Sequence, residues 1–116
     1  PNQYENMVMM TTLEYIGRNY RTATLTELAE KLHLPVHTLS KLIKREAGCN
    51  FKELLQRKRL EKAVRLICDT DLPVHDIIPA VGYENNSYFH RMFKERYHMT
   101  PRAFRVKNRE KKEVRL

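Results

Sequence analysis

The sequence predicts an all-α fold of about seven helices, arranged as two helix-turn-helix subdomains joined by a long linker helix. Three observations carry this expectation. The stretch from Leu25 to Gly48 is echoed by the stretch from Val74 to His98: Leu25, Leu28, Ala29 and Leu32 align with Val74, Ile77, Ile78 and Val81. After a shift of one residue, Leu39, Leu42, Ile43 and Lys44 align with Phe89, Met92, Phe93 and Lys94. Apolar residues recur at helical spacing, while three glycines, five prolines and no sustained alternation of Val, Ile and Thr argue against strands. Between the repeats, Phe51, Leu54 and Leu55 fall on one side of a helix wound at about 100° per residue. Leu60, Ala63, Val64 and Ile67 fall about 170° away, as a helix serving two small cores requires.

Each element has a local reason. From about Glu5 to Asn19, Val8, Met9, Leu13 and Ile16 make a helical stripe, and Met7, Met9 and Met10 suit core gaps. Thr24 or Thr26 can cap a helix running to about Leu32, and Glu27 three residues after Thr24 matches a capping box. His33 and Leu34 form the turn, Pro35 opens the next helix and Gly48 closes it. The linker helix spans about Asn50 to Cys68, and Asp69 to Pro73 is a break. In the second copy the turn Gly82-Tyr83-Glu84-Asn85 is one residue longer, and Asn85 or Asn86 caps a helix to about Tyr97. Pro101 opens a last short helix through Phe104, after which the charged run from Arg105 is either a helical extension or a loose tail. The expected divisions are therefore 1–49, a linker helix at 50–68, a second subdomain at 69–105 and a charged tail at 106–116.

Composition narrows the function. A formal charge of +8 points to a polyanionic partner. No apolar run approaches the ~20 residues of a membrane span, and Cys49 and Cys68 are spaced neither as metal ligands nor as a disulfide framework, so the reducing cytoplasm is expected. His33 and His37 stand i, i+4 with Cys49 beyond, but no closing ligands complete a metal site. Asp69, Asp71 and His75 lack a nucleophile or pocket and read as helix-end and turn residues. No cofactor, metal or catalytic set is expected. A chain that begins at Pro1 without a methionine is expected to be part of a longer protein, with an effector or dimerisation domain elsewhere.

The second helix of each copy presents a polar, cationic face. In the first, Val36, Leu39, Leu42 and Ile43 share the inner side, while His37, Ser40, Lys41, Lys44 and Arg45 point out. In the second, Phe89, Met92 and Phe93 point inward and Asn86, Ser87, His90, Arg91 and Lys94 outward. Arg and Lys can donate to the acceptors of guanine and Asn suits adenine, so Lys41, Asn86 and Arg91 fit base readout. Arg91 fits best because its planar fork makes two bonds at once. Lys44, Arg45, Lys94 and Arg96, deeper in each helix, fit phosphates. Tyr83, Tyr88 and Tyr97 could stack on bases, but fit better as core or edge packing with wet hydroxyls.

The segment from Arg59 to Arg105 resembles the C-terminal signature of AraC/XylS-type transcription regulators. The shared marks are Arg59, Leu60, Ala63 and Leu66, then Val81-Gly82-Tyr83, Ser87-Tyr88-Phe89, Arg91-Met92-Phe93-Lys94, and Thr100-Pro101 with Arg105. The resemblance implies two helix-turn-helix units binding adjacent major grooves of bacterial promoter DNA. Carried over by position, it implies base contacts at His37, Ser40 and Lys41 and at Asn86, Ser87, His90 and Arg91. An alternative from another class is an adaptor using the same faces against RNA polymerase. Departures from the pattern are His33 at the first turn, Pro35 in place of a capping serine, Ile78 in place of a small residue, and Pro79 inside a helix, which should begin late or bend.

Overall fold

A computed structural model describes residues 2–115, with side chains described through Glu113. Its regular structure is α1 (Gln3–Asn19), α2 (Leu25–Leu32), α3 (Val36–Ala47), α4 (Phe51–Asp69), α5 (Val74–Ala80), α6 (Asn86–Tyr97) and α7 (Pro101–Arg115). The fold is all-α, as predicted, and no helix among the described residues is long and apolar enough to cross a membrane. Two compact units are present, Pro1–Lys58 and Arg59–Leu116, and the division falls within α4.

In the first unit, Val8, Tyr15, Ile16, Leu28, Ala29, Leu39, Leu42 and Ile43 form the core with Phe51 and Leu55 from the start of α4. The expected stripe on α1 holds at Val8 and Ile16, with Met9 packed against the core, and is corrected at Leu13. Leu13 is 53% exposed, and Met7 and Met10 also face solvent rather than filling core gaps. Thr12 and Tyr15 take the inner positions instead. The Thr12 hydroxyl donates to the Val8 carbonyl at 2.8 Å, so its polar atom is satisfied within the helix. Thr24 caps α2 by accepting from the Glu27 N–H at 3.1 Å. The return half of the box runs through Tyr15. Its hydroxyl accepts from the Thr24 N–H at 3.1 Å and donates to Glu27 Oε1 at 2.7 Å. A tyrosine from α1 thus ties down the start of α2.

In the second unit, Leu60, Ala63 and Ile67 of α4 are buried, as are Ile77, Ile78, Val81, Tyr83, Phe89 and Phe93. The repeat is faithful where packing is tightest. Leu28, Ala29, Leu39 and Ile43 and their counterparts Ile77, Ile78, Phe89 and Phe93 are each at most 1% exposed. Pro79 does not delay α5, which begins at Val74 and carries the proline near its end.

The charged segment after Arg105 is helical, and distant partners give the reason. The Arg105 guanidinium donates to the carbonyls of Ile67 and Leu72 at 2.9 and 2.7 Å. Arg109 pairs with Asp71, and Lys112 donates to the Cys68 carbonyl at 3.3 Å. These cations lie about one turn apart on α7 and meet the C-terminal end of α4, where unpaired carbonyls and the helix dipole favour positive charge. Arg105→Ala should therefore destabilise this unit by roughly 1–3 kcal/mol, because it strips two carbonyls of a charged donor. Urea unfolding of the variant beside the parent measures the difference.

Candidate nucleic-acid interface

Each unit makes a helix-turn-helix by a different local device. In the first, His33 takes the left-handed conformation (φ 56°, ψ 40°) that ends α2. Its N–H donates to the Glu30 carbonyl and that of Leu34 to the Ala29 carbonyl, so two of the terminal carbonyls of α2 are satisfied. Pro35 then precedes α3 in extended conformation without a capping hydrogen bond, as its lack of a side-chain oxygen requires. In the second unit Gly82 supplies the positive φ, at 104°. Counted from that residue to the next helix, the connection is 33–35 in one unit and 82–85 in the other, one residue longer. Asn85, not Asn86, caps α6 by accepting from the Tyr88 N–H at 2.9 Å. Asn86 is therefore the first helical residue, with its side chain exposed.

The sequence-predicted contact residues lie on the outer faces of α3 and α6. His37 and Lys41 are exposed, as are Asn86, Ser87, His90 and Arg91; Ser40 is half-buried. Lys44 and Lys94 are also exposed, one turn further along, whereas Arg96, though exposed, points away from the Arg91 face with its guanidinium 5.8 Å from the centroid of the Tyr97 ring. Arg45 is exposed but occupied. Its guanidinium pairs with Glu5 of α1 and, at 2.9 Å, with Glu46. Val36, expected on the inner side of α3, is 41% exposed.

The tyrosines carry more than edge packing. The Arg91 guanidinium lies over the Tyr88 ring, 5.3 Å from its centroid, and that of Arg59 lies 5.7 Å from the centroid of Tyr83. The Tyr83 hydroxyl, expected to be wet, is buried without a hydrogen-bond partner among the described residues. Burial pushes the Tyr83 phenol above its ordinary range, and burial also lowers Arg59 from its usual value. The contact of Tyr88 with Arg91 was not read from the sequence, although their spacing of three on a helix was available as a signal. No group of three or more His, Cys, Asp or Glu among the described residues could hold a metal ion.

Residues 28–107 match the model of a helix-turn-helix domain family. The chain is 31% identical over 98 residues to the regulatory protein PocR of Salmonella typhimurium, covering 84% of this chain and 32% of that protein. The chain thus spans about a third of the length of such curated relatives. Among solved structures, it resembles the C-terminal domain of AraT, a response regulator from Geobacillus stearothermophilus. That match has a TM-score of 0.79 and 34% identity, covering 86% of this chain and 84% of that one. The fold alone is shared with the DNA-binding domain of AdpA, a global transcriptional factor solved in complex with a target DNA. There the TM-score is 0.76 at 19% identity, covering 92% of this chain and 94% of the other.

Proposed function

We propose, from the premise that this chain belongs to the AraC-type helix-turn-helix DNA-binding domains of bacterial transcription regulators, a non-enzymatic family, that it reads an asymmetric duplex promoter site through α3 and α6 in successive major grooves. One observation supports this above the rest. Two repeats with matching buried positions both leave a polar, cationic face outward on the second helix, with Lys41 and Arg91 at corresponding places. The surrounding regulator works in the cytoplasm, where its promoter lies.

The two faces differ in chemistry. His37, Ser40 and Lys41 offer a point charge and short polar groups to the first groove. Asn86, Ser87, His90 and Arg91 offer the second groove two side chains capable of paired hydrogen bonds, Asn86 to adenine and Arg91 to guanine. Lys44, Lys94 and Arg96 meet phosphates and set register without reading sequence. Arg45 joins them only by leaving Glu5 and Glu46, so its contribution is smaller than that of Lys44.

Footprinting at physiological salt tests the duplex reading: protection of one promoter segment supports it, and an unprotected duplex favours an adaptor that meets RNA polymerase instead. Lys44→Ala should weaken binding to all sequences alike and reduce the salt dependence by about one ion. Affinity measured against salt concentration checks this. A changed base preference would put Lys44 among the base readers.

A further inference from the structure

The geometry points to Tyr88 as the positioning residue that sets how sharply α6 discriminates bases, by holding the Arg91 guanidinium in its reading position. This rests on the proposed role of Arg91 as a base contact. Tyr88 and Arg91 stand three apart on α6, so their side chains share a face. The Arg91 guanidinium lies over the ring at 5.3 Å from the centroid. The ring itself is anchored. Tyr88 is half-buried, and the Tyr83 ring meets it at 6.1 Å, tilted by 49°. Tyr83 in turn is 4% exposed, packs edge-on against Phe89 at 5.2 Å, and carries Arg59 of α4 on its ring. A stack of Arg59, Tyr83, Tyr88 and Arg91 therefore runs from the core of the unit to the outward face of α6.

Such a stack changes what an arginine can read. A free arginine samples many rotamers, and on a wrong sequence it can swing to a phosphate and recover affinity without reading a base. Held over a ring, its planar fork has fewer directions of approach, and guanine O6 and N7 match that fork with two bonds. A wrong base then leaves the donors unpaired instead of redirected. The corresponding position in the first unit lacks the device. Lys41 has Thr38, not an aromatic residue, three places before it, and its ammonium is a point charge without a preferred plane. The half-site read by α6 is accordingly the more stringent of the two.

The test compares affinities of the whole chain for duplexes carrying each of the four bases at the position Arg91 reads. Tyr88→Leu should lower discrimination there roughly fivefold, as loss of a cation–π contact implies, with the salt slope unchanged. Tyr88→Phe, which keeps the ring, should retain discrimination. In an Arg91→Ala background, Tyr88→Leu should change nothing further at that base. A Tyr88→Leu protein that weakens every duplex equally would overturn the positioning role. If Arg91→Ala relaxes the preference and Tyr88→Leu does not, the positioning role alone falls. If Arg91→Ala leaves the preference intact, the base reading of Arg91 falls and this role with it. Proton NMR of the unaltered protein needs no variant: the Arg91 side-chain methylenes should be shifted upfield by the ring, and ordinary shifts would contradict the stack.

Discussion

Replacing Phe93 with alanine should cost about 3–5 kcal/mol of stability, the usual range for removing a buried aromatic ring. Phe93 is fully buried and sits at the centre of an aromatic group: Phe89 at 5.7 Å, Tyr97 at 4.7 Å and Phe104 at 5.8 Å between centroids. Three rings therefore lose contact surface at once, and a cavity remains where they met. The unit that holds them runs from Arg59 to Leu116, a size at which little more than half of the chain's surface is buried and stability is marginal. Urea unfolding and amide exchange in α6 measure the effect. A cost below about 1 kcal/mol would mean that the site collapses freely and that α6 is not held by this core.

Arg91→Ala should cost roughly 1–3 kcal/mol in binding and relax one base position, leaving the others as they were. The direction follows from the proposed role of Arg91, because alanine would remove a two-bond donor from the groove and add nothing to a competing base. The contrast with Lys44→Ala is informative, since that change should lower every affinity together. Binding to a panel of single-base variants of one site separates the two patterns. Uniform loss for Arg91→Ala would move it to the phosphate contacts.

The repeat made the packing legible because packing leaves its mark on hydrophobicity. Leu28, Ala29, Leu39 and Ile43 are buried as Ile77, Ile78, Phe89 and Phe93 are, and the two apolar clusters of α4 each enter the core of one unit. Helix α1 was read correctly at Val8 and Ile16 but misplaced at Leu13, for the same reason that the rest succeeded. Thr12 is polar by type but bonds its own backbone, so the buried face runs Val8, Thr12, Tyr15 and Ile16 while Leu13 looks outward. Helix α7 was hidden because what holds it is remote. Arg105, Arg109 and Lys112 find partners at Ile67, Cys68, Asp71 and Leu72, which no local pattern links to them.

The outward faces of α3 and α6 were legible from polarity and spacing, which suffice to say which side chains leave the core. Their neighbours were not. The pairing of Arg45 with Glu5 spans forty residues, and the stack of Arg91 on Tyr88 depends on where Tyr83 anchors the second ring. The same limitation applies to the turns. Gly82 read correctly as a turn residue, and Pro35, expected to open α3, precedes it by one residue; the choice of Asn85 over Asn86 as the cap depends on one hydrogen bond to Tyr88.

Selection of tight binders from fully randomised duplexes by the whole chain tests the central claim most directly. Two blocks of base preference should emerge, with centres about 10 base pairs apart, and the block in which Arg91→Ala relaxes a position should be the more stringent. A single block, or enrichment without any base preference, would contradict a chain that reads two successive grooves.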